Sequence, residues 1–386
     1  MTPGERELRL ARAYLNRVAE PPAVAVAALI ADVGPVRAAR MVLAGTVPAP
    51  VVTETAARRA EIRAEDDLAA IATLGGRLVI PEDQEWPAEA FTCFTTPPAL
   101  ADERWRAPVA LWARGAVRLD DIGHRAVAVV GARAATGYGE HVAAEFGYGL
   151  AERGMAVISG AAFGVDGAAH RGALAAEGTT VAVQACGLDR AYPVGHHRLL
   201  DLIAQRGAVV SEYPPGVRPA RYRFLVRNRL IAGFAAGTVV VEAGVRSGAR
   251  RTATAAAVLG RVVMAVPGPI TSALSAGSHV LLREEHAVLV TRVAEVVEAV
   301  GSIGSDLAPA VSVPAHSTDG LSPELLAVYE ALPIRAPRHP EHLTRDSGVP
   351  LQRIRAALPL LELRGLVECG PSGWYRVSLG CGRGGS

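Results

Sequence analysis

The sequence predicts an α/β fold whose centre is a doubly wound, mostly parallel sheet, and three observations lead there. First, six short runs, apolar at nearly every position, recur after residue 125: Ala126–Val130, Ala156–Ile158, Thr180–Val183, Ala208–Val210, Thr238–Glu242 and Val262–Val266. Strands covered on both faces read this way, whereas a half-exposed strand alternates. Second, stretches with helical character separate most of these runs, which is the rhythm of parallel strands joined by crossover helices. Third, small residues cluster just after the runs, at Gly131, Ser159-Gly160 and Ser247-Gly248. In open sheets of this kind a ligand sits beyond the carboxyl ends of the strands.

The surrounding elements follow in order. At 386 residues the chain exceeds one ordinary core and predicts two or three domains. Residues 1–80 read as a helical N-terminal domain: Leu8, Leu10, Leu15 and Val18 recur at roughly helical spacing, and further helical segments run to Leu74. Within it, Ile30 to Ala39 sets a Gly34-Pro35 turn between two helices. That pattern fits a SAM or helix-hairpin-helix-like unit, whose turn amides can hold a DNA phosphate, and fits a plain αα-corner at least as well. Residues 81–300 are assigned to a Rossmann-like domain with an N-terminal extension; the connector (75–122) carries Trp86, Trp105 and Trp112 and an edge-strand candidate at 109–114. Residues 301–320, rich in Ser, Ala, Pro and Gly, read as a linker. Residues 321–380 begin a helix at Ser322-Pro-Glu, continue with helices near 339–347 and 350–364, and end in a hairpin, which is a winged-helix pattern. With Arg353, Arg355 and Arg364 offset by Glu362 and Glu368, duplex binding and protein contact are even outcomes for it.

Composition excludes more than it selects. The formal net charge is +2 and every basic residue is arginine, with no lysine. Codon bias in a GC-rich genome accounts for that, yet any phosphate contact must then use the planar guanidinium fork. Cys93, Cys186, Cys369 and Cys381 are far apart and form no CxxC pair. This argues against a zinc ribbon or a disulfide framework and fits a reducing cytoplasm. No signal-peptide core opens the chain, and the apolar stretch 23–31 falls short of the ~20 residues that span a bilayer. The expectation is a cytoplasmic protein without membrane contact, metal or cofactor.

Binding chemistry is expected at the strand ends. After the first run, Gly131-Ala-Arg133 leads to Gly137 and Gly139, which is not the dinucleotide fingerprint GxGxxG; the next strand end carries Ser159-Gly160 and no ribose-binding acid. An anionic ligand other than NAD fits better. Asp166 and His170 stand four residues apart without a nucleophile or third metal ligand, so Asp166 reads as a helix cap and His170 as a packing residue. The most informative stretch holds Arg218, Arg221, Arg223, Arg227 and Arg229 within twelve residues, interleaved with Tyr222 and Phe224 and free of acids. Arginines that follow a backbone beside aromatics that stack on bases are how single strands are held. A solvated charged loop is the usual reading of a charge run, and the interleaved aromatics and the position after a strand argue against it here. Further on, Glu242 ends a strand, and Ser247-Gly248 opens a helix beside Arg250 and Arg251. Glu242 reads as structural, since no partner acid or nucleophile accompanies it.

Taken together, these stretches resemble the DNA-processing protein A family (DprA, also called Smf). The resemblance rests on Gly131-Ala-Arg133, Tyr138-Gly139, Ser159-Gly160 to Asp166 with Ala169-His170, Tyr192-Pro193, Ser211-Glu-Tyr-Pro214, Arg227-Asn-Arg229, Glu242-Ala243, Ser247-Gly248 and Val266-Pro-Gly268. It covers about 125–290. It implies a non-enzymatic bacterial protein that binds and protects incoming single-stranded DNA, loads the RecA recombinase in natural transformation, and dimerises through the Rossmann-like domain. Carried over by position, Arg133 becomes the first-loop DNA contact and Arg221 the basic contact of the arginine segment. The implied DNA-binding set is Gly131, Arg133, Ser159, Gly160, Arg221, Arg223, Phe224, Arg227, Asn228, Arg229, Ser247, Gly248 and Arg250. Ala132, Phe163, Leu225 and Ala249-Arg250 depart from the family's usual Ser, Arg, Pro and Ser-Leu, which puts affinity in question and not the fold. Two competing readings are a nucleotide-binding or nucleotide-cleaving enzyme or sensor using Glu242, and a duplex-binding regulator acting through residues 321–380.

Overall fold

The computed structural model describes residues 2–122, 125–301, 306–309, 317–334 and 336–377. The chain divides into two compact units, Met1–Pro309 and Ala310–Ser386. Cys381 and most of the interior of the linker lie outside the described residues.

The first unit opens with five helices: α1 (Pro3–Val18), α2 (Val24–Val33), α3 (Pro35–Ala44), α4 (Ala49–Thr55) and α5 (Ala64–Thr73). Thr2 and Glu5 close a capping box on α1, with the Glu5 amide donating to Thr2 Oγ1 at 3.3 Å. Between α2 and α3, Gly34 takes φ +79° and its amide donates to the Ile30 carbonyl at 2.9 Å, so that turn amide serves to end α2.

Strand β1 (Gly76–Val79) and the one-turn helices α6 (Ala88–Phe91) and α7 (Pro97–Leu100) lead to β2 (Leu111–Gly115). The doubly wound part then alternates β3 (Ala126–Val130), α8 (Gly137–Glu152), β4 (Ala156–Ser159), α9 (Val165–Ala175), β5 (Thr180–Gln184), α10 (His197–Arg206), β6 (Ala208–Ser211), α11 (Arg221–Phe234), β7 (Gly237–Val240), α12 (Gly248–Val258), β8 (Val262–Ala265), α13 (Ala276–Glu284), β9 (Val288–Leu289) and α14 (Val293–Val300). All six apolar runs are strands. The nine-stranded sheet has the order β1-β2-β6-β5-β4-β3-β7-β8-β9. Its seven strands from β6 to β9 are parallel, while β2 runs antiparallel to both β1 and β6. From β3 the chain winds outward through β4, β5 and β6, then returns to the other side of β3 with β7. The topological switch point is therefore between β3 and β7.

Why the runs lack alternation is visible in β3. Val127 and Val129 pack with Phe146 and Leu150 of α8 on one face. Ala126, Ala128 and Val130 pack with Leu230 and Ile231 of α11 and Ala253 of α12 on the other. Toward the antiparallel edge, Leu15 and Val18 of α1 share a third cluster with Trp112, Ile203 and Val209. Asn16 fastens this junction: it accepts from the Trp112 indole at 2.8 Å and donates to the Glu212 carbonyl at 2.9 Å. One feature differs from the sequence expectation. The edge-strand candidate at 109–114 lies inside the sheet, because β1, a four-residue strand directly after α5, covers it. So short a strand leaves no periodic pattern to read.

The second unit contains α15 (Pro323–Ala331), α16 (Pro340–Ser347), α17 (Leu351–Leu363) and a hairpin of β10 (Val367–Gly370) and β11 (Gly373–Arg376). Ser322 caps α15, accepting from the Leu325 amide at 3.3 Å. Val328, Leu343, Ile354, Leu358, Leu361 and Val367 form its core. This is the winged-helix arrangement.

Candidate nucleic-acid interface

Beyond the carboxyl ends of β3 and β7 the sheet opens into a cavity of about 780 Å³. Gly131 to Arg133 line it from the loop after β3, Ala162 from the loop after β4, Asp166 from the first turn of α9, Arg246 and Ser247 from the loop after β7, and Gly248 from the start of α12. Arg221, Phe224, Arg227 and Asn228 of α11 and Tyr192 complete the wall.

Each loop is tied down by a buried acid. Glu242 is 1% exposed and both its oxygens face Thr136: the Thr136 amide donates at 2.9 Å and its hydroxyl at 2.6 Å. Thr136 in turn caps α8, accepting from the Gly139 amide at 3.1 Å. Glu242 thus shapes the loop after β3 and does not line the cavity. Asp166 accepts from the amides of Gly160 and Ala162 at 3.2 and 3.4 Å. It therefore fastens its own loop; the N-cap of α9 is Gly164, not Asp166. His170 is fully buried with Nδ1 2.7 Å from the Thr180 hydroxyl, away from the cavity lining.

The arginines of α11 separate by helical position. Arg229 is buried and forks onto Glu212 with bonds of 2.8 and 2.7 Å, adding a bond to the Arg106 carbonyl at 2.8 Å. Arg227 is also buried and donates to the carbonyls of Gly160 (3.1 Å) and Val183. A Cβ on Gly160 would stand 2.5–2.7 Å from the Arg227 guanidinium, so a larger residue there would displace Arg227 from its two carbonyls. Burial lowers the Arg227 pKa to about 10, against the attraction of Asp166, so the group is cationic at neutral pH. Burial pushes the Asp166 carboxyl up, against the pull of Arg227. Arg223 is held by Glu20, whose carboxylate accepts from it at 2.7 and 3.1 Å, from Arg58 at 2.8 Å and from the Tyr222 hydroxyl at 3.1 Å. The arginine run has no acid in sequence, but the fold brings one from the end of α1.

Arg133, Arg221 and Arg246 are exposed, and among the described residues none has a carboxylate within ion-pair distance. Arg133 lies over the Phe224 ring at 5.1 Å, Tyr192 packs on Phe224 at 5.1 Å, and Arg227 approaches it at 5.8 Å.

Of the residues read from sequence, the structure gathers Gly131, Arg133, Arg221, Phe224, Arg227, Asn228, Ser247 and Gly248 around the cavity. Five stand outside its lining. The Ser159 hydroxyl donates to the Val129 carbonyl at 2.7 Å, Gly160 lies beneath Arg227, and Arg223 and Arg229 are ion-paired. Arg250 donates to the Val245 carbonyl at 2.7 Å and pairs with Glu285. Arg246 and Tyr192 were missed as site residues. Arg246 precedes the Ser247 cap directly, which was its available signal. Among the described residues no cluster of His, Cys, Asp and Glu is arranged to hold a metal, and no helix is long and apolar enough to cross a membrane.

Residues 77–301 match the family model described as DNA recombination-mediator protein A, and 312–373 match the DprA winged helix domain. The chain belongs to the DNA-processing protein A family. A Mycobacterium tuberculosis protein bearing the DprA name is 52% identical over 371 residues, 96% of this chain and 95% of its own. Protein Smf of Escherichia coli is 37% identical over 78% of each chain. The X-ray structure of DprA from Streptococcus pneumoniae superposes with a TM-score of 0.61 at 30% identity, covering 77% of this chain and 98% of that one. The DprA likeness thus spans the sheet that carries the cavity and the winged helix alike.

Proposed function

We propose that this DprA-family chain binds single-stranded DNA in the cavity at the β3–β7 switch point and does no chemistry on it. The observation that carries the reading is the set of three unpaired guanidinium groups, Arg133, Arg221 and Arg246, around the Phe224–Tyr192 ring pair. Guanidinium groups meet phosphates, and aromatic rings meet unpaired bases that a duplex keeps stacked. The start of α12 at Gly248 adds helix N-terminal amides to the same wall. A nucleotide-cleaving enzyme working through Glu242 is disfavoured by the two bonds that commit its oxygens to Thr136.

The family's description as a recombination mediator supports the further reading that the bound strand is protected and handed to a RecA-type recombinase, as in natural transformation. Dimerisation through the Rossmann-like domain belongs to the same family-based reading. In the winged helix, Arg353 and Arg355 pair with Glu324 and Glu341 at 2.9 and 2.7 Å, which favours a protein-contact role over duplex binding.

The test is a fluorescence titration of labelled oligo(dT) and of duplex at two salt concentrations. Oligo(dT) is expected to bind more tightly. Arg133→Ala, Arg221→Ala and Arg246→Ala should each flatten the log–log salt dependence by about 0.7, the value for one single-strand phosphate. Arg223→Ala, whose guanidinium is engaged by Glu20, should change the slope less than any of those three. Equal affinity for duplex, or no change in the first three variants, overturns the proposal.

A further inference from the structure

We infer that Phe163 is a second base-stacking platform, set beside the cavity where the strand passes Tyr192 and Phe224; this rests on the single-strand reading above. Phe163 is 50% exposed, yet it is not a loose surface side chain. Its ring meets the His196 ring edge-on, with centroids 4.6 Å apart at 65°. Its Cζ and Cε1 atoms lie 3.2–3.3 Å from the point where a Cβ on Gly195 would stand, so the ring lies against that glycine. His196 is itself buried, with Nδ1 2.9 Å from the Ala161 carbonyl. One side of Phe163 is thereby fixed and the rest of the ring faces solvent.

The backbone is shaped to present it. Ala161 has φ +51° and Gly164 φ +73°, two left-handed residues bracketing Ala162 and Phe163. The first is costly for a residue with a Cβ, and such conformations persist where the surroundings impose them. Ala162 lines the cavity, and Phe163 is the next residue along the chain. From the other side, Tyr192 packs on Phe224 three residues before Gly195, on which Phe163 rests. Val194, between them, is 77% exposed. Single exposed apolar side chains are ordinary on a protein surface. A ring held between His196 and Gly195, next in the chain to a cavity-lining residue, is a different case, because a rigid ring takes a base with little loss of side-chain entropy. The occupant is a nucleobase of the same strand, adjacent to the segment held at Phe224.

The full chain is titrated with oligo(dT), and with an oligonucleotide carrying 2-aminopurine, at two salt concentrations. Phe163→Ala should weaken binding roughly 5- to 150-fold, the range for one stacked base. Its log–log salt slope should stay at the wild-type value, since stacking displaces no counterions. Phe163→Leu, which keeps bulk without a π face, should show the same loss should the alanine variant fold poorly. Phe163→Trp should restore affinity, and 2-aminopurine quenching should fall in the alanine and leucine variants. Wild-type affinity in both reduced variants, or a slope drop of about 0.7 as for a lost arginine, overturns the inference. If Arg133→Ala and Arg221→Ala also bind like wild type, the failure lies instead with the single-strand reading.

Discussion

Replacing Arg229 by alanine should lower stability by about 3–5 kcal/mol, the cost of leaving one member of a buried ion pair alone. The side chains of Arg229 and Glu212 are 1% and 3% exposed, so water cannot take over the lost interaction. The geometry is the planar fork-on-fork arrangement that lysine cannot reproduce. Glu212 follows β6 and Arg229 lies in the middle of α11, so the pair pins the helix that carries Arg221 and Phe224 onto the sheet. Urea unfolding of Arg229→Ala and Arg229→Met measures the loss. Because most of it is the stranded Glu212 charge, Arg229→Met combined with Glu212→Leu should recover much of it. A single variant within 1 kcal/mol of wild type would show that the pair is not what holds α11.

The fold was legible wherever burial on both faces wrote itself into composition. Val127 and Val129 meet α8 while Ala128 and Val130 meet α11 and α12, and the apolar run is the direct trace of that two-sided cover. β1 was not legible, because four residues after a helix carry no period. The site was legible in its chemistry but not in its division of labour. From sequence, five arginines in twelve residues look alike. In the fold, Arg227 and Arg229 face the sheet, Arg223 faces Glu20, and Arg218 and Arg221 face solvent. A carboxylate two hundred residues away cannot be read from a local window. Burial of the second half of α11 is readable only in its nearly continuous apolar run Leu230, Ile231, Ala232 and Phe234, and nothing in that run marks Arg227 and Arg229 as buried with it. Arg250 and Ser159 stand outside the cavity lining for a related reason: their local sequence resembles a ligand loop, while their hydrogen bonds go to Val245, Glu285 and Val129.

Acidification should destabilise this protein through His170. The Thr180 hydroxyl has one proton and gives it to the Val157 carbonyl at 2.7 Å. It can therefore only accept from His170, which fixes the imidazole proton on Nδ1, 2.7 Å away. Among the described residues Nε2 has no partner, and it is buried. A second proton there would be a buried charge with no acceptor, and burial accordingly lowers the pKa to about 3, with the His196, Arg171 and Arg227 charges adding to it. The folded value lies below the unfolded one of 6.5, so between them the unfolded chain binds more protons. Stability is thus full above pH 6.5 and falls as pH drops toward about 3, by about 1.4 kcal/mol per pH unit. His170→Asn keeps an N–H donor near Thr180 and removes the titration. Urea unfolding of both proteins at pH 7, 6, 5 and 4 isolates the term, because every other titrating group is common to them. The wild type should lose stability faster than the variant with each step down, and parallel curves would place the neutral, Nδ1-protonated histidine in error.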